Sequence, residues 1–209
     1  MFKSTNADNE ATQLINGFPL SLRQEVEEVI KVLPFDYHIL LADGQIHEVD
    51  SLIHQTEQTI SLDGELLKIP YRVHLNEPQV EKEKQLTVLQ QVILNCIYLR
   101  HNDGFVIQRH LVKLTGKTEC FIIPYTFQLL GEYVIEILEE LGSQIDAVNI
   151  KNYVKFINEN KKYWTQTESR MISYWNEYYR RSRFPKLNDY IGKQIVDKIK
   201  VNLCNSSIQ

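Results

Sequence analysis

The sequence predicts a mainly α-helical protein with a small antiparallel β-sheet in its N-terminal third, an α+β fold. Three observations predict it. From Pro78 onward apolar residues recur with helical spacing; residues 68–75, "KIPYRVHL", alternate apolar and polar; and Asp43-Gly44 and Asp63-Gly64 stand where tight hairpin turns belong. The expected architecture is a helical bundle, or HEAT-like helix pairs, packed with a β-hairpin lobe. Only the corner "NDGFVIQRHLVKL" is similar to a HEAT-type pair, and no regular repeat accompanies it.

Taken in order, residues 1–20 read as a flexible tail. Their start, "MFKSTNADNEAT", is polar and has neither the basic nor the apolar region of a signal peptide. Residues 21–77 are expected to form one helix plus the sheet, and 78–209 a helical lobe packed with them as one unit. In "SLRQEVEEVIKVLP" Ser21 and Gln24 have capping-box spacing. Leu22, Val26, Val29, Ile30 and Leu33 share a face, and Pro34 stops the helix. In the alternating strand Ile69, Tyr71, Val73 and Leu75 face inward, with Lys68, Pro70, Arg72 and His74 outward. Pro70 cannot donate to a ladder, which places it at an edge or bulge. Asp63-Gly64 joins this strand to "TEQTISL", and Asp43-Gly44 follows "YHILLA"; "EVDSLIHQ" fits either a strand or a short helix.

"VEKEKQLTVLQQVILNCIYLR" reads as one buried helix. Its stripe holds Leu86, Leu89, Ile93, Cys96, Ile97 and Arg100, widened by Val92 and Leu99. The next helix is capped by Asn102 or Asp103 and ends near Gly116. Pro124 opens another that runs to Gly142. Three more are expected at about 144–159, 161–183 and 188–203.

Composition narrows the function. The 209 residues are 43% hydrophobic with a net charge of −4, and no apolar run reaches the ~20 residues of a membrane span. Cys96, Cys120 and Cys204 are odd in number and scattered, which argues against a disulfide framework or zinc site and for the cytoplasm. Charge is uneven: residues 1–150 carry 11 basic and 22 acidic side chains, whereas 151–209 carry 12 and 5, a net +7. A basic surface for an acidic partner is one consequence; mutual attraction of the two parts is the other.

The densest set of reactive side chains is "RHNDGFVIQRH", residues 100–110. On a helix from Gly104, His110 shares the apolar arc of Val106, Ile107, Leu111 and Leu114, so it faces the core. Asp103 is accounted for as a cap, which leaves His101. Glu132, Glu136 and Glu140, with Glu139, fall opposite the apolar face of their helix and read as a solvated acidic surface. "HEVDSLIH" fails as a zinc motif because Ser51 stands where the second histidine belongs, and no phosphate-binding loop or serine elbow occurs. Trp164, Met171, Trp175, Tyr178 and Tyr179 share one side of the 161–183 helix. They read as a core seam, or else as a base-stacking platform flanked by Arg180, Arg181, Arg183 and Lys186.

The combination of "IPYRVHL", "RHNDGFVIQRHLVKL", "LLGEYVIEILEEL" and "SYWNEYYRRSRFP" over about residues 20–200 resembles a family of uncharacterised bacterial cytoplasmic proteins. That resemblance implies a bacterial protein forming a single unit and carries no activity. The reading is therefore a non-catalytic protein-interaction or regulatory protein without cofactor or metal, its partner another protein. The alternatives are nucleic-acid binding through Arg180, Arg181, Arg183 and Lys186, or an enzyme assembled around His101 and Asp103 with His74 and Tyr133.

Overall fold

The computed structural model describes residues 2–36, 38–40 and 46–206. Among the described residues the chain forms ten α-helices and two small antiparallel strand pairs: α1 (Phe2–Ile15), α2 (Arg23–Ile30), β1 (His38–Leu40), β2 (Ile46–Glu48), β3 (Glu57–Leu62), β4 (Glu65–Pro70), α3 (Val80–Glu83), α4 (Val88–Tyr98), α5 (Gly104–Lys113), α6 (Ile123–Gln128), α7 (Ile135–Gln144), α8 (Ile150–Glu159), α9 (Lys161–Tyr174) and α10 (Ile191–Ser206). This is the mainly α fold with a small hairpin that the spacing predicts. The Asp43-Gly44 turn lies outside the described residues.

The expected tail carries α1 instead. Leu14 and Phe18 enter the core, and buried Glu10 accepts from Leu52 N at 2.6 Å and Ser51 Oγ at 2.9 Å. Few apolar residues mark this anchor, so its polarity hid it. The predicted cap at Ser21 is absent as well. Leu20–Leu22 forms a 3-10 turn after Pro19, and α2 begins only at Arg23.

Asp63 and Gly64 have φ of 55° and 83°, the left-handed pair a two-residue hairpin turn requires. The β3–β4 hairpin is held on one side by Lys68 N donating to Asn16 O at 2.8 Å. On the other, Asn160 grips Ser61 through Oδ1 and Nδ2 at 2.8 and 2.7 Å. Beyond Pro70 the chain stays extended and is pinned on both sides. Tyr71 N and His74 N donate to Thr56 O and Leu52 O, while Val73 N donates to Arg100 O at 2.8 Å. The parallel bridge of Val73 with His101 sets Arg72 beside the end of α4.

The long helix expected from Pro78 is two pieces. Thr87 starts α4 with a complete capping box: its hydroxyl accepts from Gln90 N, and Gln90 Oε1 accepts from Thr87 N at 2.9 Å. The helix expected from Pro124 to Gly142 is also broken. After α6 a 3-10 turn at Leu129–Gly131 gives way to extended chain, and α7 starts at Ile135. The Arg170 stem crosses close to the backbone at this break: a Cβ on Gly131 would lie 3.0 Å from Arg170 Cδ, which would have to give by a few tenths of an ångström.

One apolar core runs from Leu14 through Val73, Ile93 and Phe127 to Ile199. A smaller cluster, Ile135, Leu138, Met171, Tyr190 and Val196, packs with Trp175, Tyr179 and Phe184. Among the described residues no helix is long and apolar enough to cross a membrane.

Candidate functional site

The corner of residues 100–110 forms as spaced: Asp103 Oδ1 accepts from Phe105 N at 2.8 Å and caps α5. Backbone groups occupy both nitrogens of His101. Asp103 N donates to Nδ1 at 3.0 Å, which fixes the proton on Nε2, and Nε2 donates to Leu75 O at 3.1 Å. Burial lowers its pKa, so it is neutral at pH 7. His74 lies within its electrostatic reach, but Tyr133 stacks on Tyr178 instead.

His110 is fully buried, with Tyr98 stacked 4.5 Å away and Asn95 and Glu77 at 2.7 and 3.0 Å from its two nitrogens. Burial, then nearby Lys113, lowers its pKa to about 4. A neutral ring carries one proton. Nε2–H donating to Glu77 requires Nδ1 to accept, which the Asn95 amide satisfies when its NH2 faces the ring. Burial pushes the Glu77 carboxyl up, but hydrogen bonds from Arg109 and His110 outweigh this and leave its pKa lowered. His101, Asp103, Arg109 and His110, with Glu77, thus each have a structural partner.

The basic segment divides. Trp175–Tyr179 is a π-helical turn, with Arg180 N bonded to Trp175 O, so a constant helical wheel fails there. Tyr179 turns inward and stacks on Tyr190 at 5.4 Å, whereas Tyr178 turns outward. The seam reading therefore fits Met171, Trp175 and Tyr179 and misplaces Tyr178. Arg183 pairs with Glu139 at 3.0 Å. Arg180 lies 5.8 Å over Trp175 and donates to Asn176. Exposed Arg180 and Arg181 line a surface recess of about 400 Å³ with Asn176 and Glu177; Arg180, Arg181 and exposed Lys186 join no ion pair among the described residues.

A second polar cluster was not foreseen. Glu132 is buried rather than on the solvated face, because the break at Gly131 turns it inward, and Arg72 Nη2 donates to it at 2.6 Å. Arg72, expected on the outer side of its strand, is half-buried. Arg100 is 1% exposed and donates through Nε to Pro70 O at 2.7 Å. Its Nη1 and Nη2, and Nη1 of Arg72, are buried and meet no acceptor of the protein. Burial lowers the Arg100 pKa to about 10, which keeps it charged at pH 7; Tyr163, Arg72, Tyr125 and Glu132 lie within its electrostatic reach.

Arg170 lies over the Tyr71 ring at 5.7 Å, and Arg72 over the same ring at 5.3 Å. Of these cations Arg72 pairs with Glu132, Arg100 lies within electrostatic reach of both, and Arg170 shares the Tyr71 ring with Arg72. Beside them, Tyr133 stacks on Tyr178 at 5.2 Å while Tyr174 meets Tyr133 edge-on at 5.9 Å and Tyr178 at a tilt at 6.0 Å, and Tyr133 and Tyr178 remain 48% and 52% exposed. The one sequence signal for this cluster was Arg100 itself, a cation on an apolar stripe.

Among the described residues no group of three or more His, Cys, Asp or Glu side chains could hold a metal ion. Comparison with protein-family models, with curated proteins and with solved structures finds no match to the chain.

Proposed function

We propose that this is a non-catalytic interaction protein whose contact face is the tyrosine rim of Tyr133, Tyr174 and Tyr178, with Arg180 and Arg181 on the adjoining turn. The partner is a protein presenting an acidic surface. One observation carries the reading: three tyrosines in mutual ring contact, two of them about half exposed, stand beside exposed arginines that join no ion pair among the described residues. Tyrosine and arginine are the residues that anchor protein interfaces, because they contribute large contact area along with a polar tip. The net charge of +7 over residues 151–209 favours an acidic partner.

Nucleic acid is the second reading, supported by the exposure of Arg180, Arg181 and Lys186. Capture from a bacterial lysate, followed by affinity measurement with the purified partner, separates the two. The interaction reading expects a partner whose affinity falls at least ~10-fold with Tyr178→Ala or Arg181→Glu. A labelled single-stranded oligonucleotide should bind weakly to all three proteins. Tight oligonucleotide binding that falls steeply with salt and with Arg181→Glu would replace this reading with the second.

A further inference from the structure

We infer that the floor beside the tyrosine rim, formed by Arg72, Arg100 and Arg170 with Glu132, binds the phosphate group of a small phosphate monoester. The inference goes beyond the contact-face reading and stands whether or not the rim holds a protein.

Charge and valence both lead there. Three guanidinium groups and one carboxylate leave two positive charges in a largely buried region, and a phosphate monoester brings a charge of about −1.5 to −2 at pH 7. A buried cation that lacks a counter-charge is costly to the fold, so an anion that supplies one binds with that cost recovered. Three buried nitrogens, Nη1 and Nη2 of Arg100 and Nη1 of Arg72, are without protein acceptors. Glu132 engages Arg72 through Nη2 alone. A tetrahedral phosphate offers three terminal oxygens and can engage both forks.

Arg170 adds a third, partly exposed cation. It makes no hydrogen bond or ion pair among the described residues, and its stem is held against Gly131. Arg100 is enclosed, whereas Tyr71, Arg72, Arg170 and Tyr174 are each partly exposed; the anion enters on that side by displacing the Arg170 or Tyr174 side chain. The organic part of the ester then meets the tyrosine rings, where an aromatic group stacks.

The test is thermal unfolding followed by tryptophan fluorescence, with inorganic phosphate in one arm and phenyl phosphate in another. Both are compared with chloride at equal ionic strength. At roughly ten times Kd the expected rise in Tm is about 3 °C or more, with phenyl phosphate binding at least as tightly as inorganic phosphate. Arg100→Met should abolish the response. Arg170→Ala, at a half-buried side chain without hydrogen bonds, keeps the test open if Arg100→Met does not fold, and should weaken binding ~10-fold. No rise beyond chloride, or a rise unchanged in Arg170→Ala, would overturn the inference. Binding of inorganic phosphate with phenyl phosphate excluded would overturn the ester. Loss of partner capture in Tyr178→Ala with the phosphate response intact separates the two sites.

Discussion

Two polar clusters of this protein, one centred on histidines and the other on arginines, obey opposite accounting. In the corner, His101, His110, Glu77 and Asp103 each meet a hydrogen-bond partner, and both histidines are neutral at pH 7. Around Glu132, donors outnumber acceptors, and a fully buried guanidinium keeps two nitrogens without one. The comparison teaches that reactive-looking chemistry marks the wrong place. Saturated groups hold the chain together, while unsaturated buried ones are where a ligand can contribute.

The largest effect should come from removing the single carboxylate of the second cluster. Glu132→Gln leaves Arg72 and Arg100 without a counter-charge and should lose about 3 kcal/mol in urea denaturation. Retained stability would mean the guanidinium groups are compensated elsewhere. His110→Ala opens the corner, leaving buried Asn95 without its imidazole partner and removing the ring stacked on Tyr98. It should cost about 2–4 kcal/mol.

The corner should also show in the pH profile. The folded-state pKa of His110, about 4, lies below its unfolded value near 6.5. The unfolded chain therefore binds more protons between these limits, and stability falls as pH drops through them, by ~3 kcal/mol at most. Glu77, also lowered, adds loss in the same direction below about pH 4.5. A profile equally steep in His110→Gln would remove His110 as its cause.

Two smaller substitutions calibrate the comparison from outside both clusters. Thr87→Ala deletes the observed capping box and should cost about 1 kcal/mol, whereas Ser21→Ala should change stability by less than about 0.5 kcal/mol. Smallest of all, Arg183→Ala breaks a half-exposed ion pair worth about 0–1 kcal/mol in the same denaturation assay.

These pairs also show what the sequence could reveal. Ser21-x-x-Gln24 and Thr87-x-x-Gln90 have the same spacing, yet only Thr87 has the extended backbone of a cap, with ψ of 165°. The 3-10 turn after Pro19 carries Ser21 past the helix start. Apolar periodicity was enough for α5, its Asp103 cap and the inward face of His110, because these depend on neighbours within a few turns. Glu132 and Tyr178 were misplaced for one reason. The break after Gly131 and the π-turn at Trp175 each shift the register, and both sit where distant residues pack, Arg170 across Gly131 and Tyr190 against Tyr179.

Arg72 and Arg100 could be read only as an outward strand residue and an intruder on an apolar stripe. Their meeting depends on the bridge between Val73 and His101, a tertiary contact. The segments that lacked strong periodicity, α1 above all, are ordered by single buried anchors such as Glu10, which no spacing rule announces.

The central claim is that the corner is saturated and the arginine cluster is not, and one paired denaturation experiment tests it most directly. In phosphate-free buffer, Arg100→Met should stay within about 1 kcal/mol of the parent or exceed it, since an apolar side chain ends the cost of an uncompensated charge. His110→Leu, in the same buffer, should lose at least about 2 kcal/mol. Equal losses of about 3 kcal/mol or more in both variants would show Arg100 to be as fully employed in the fold as His110, and would contradict the account.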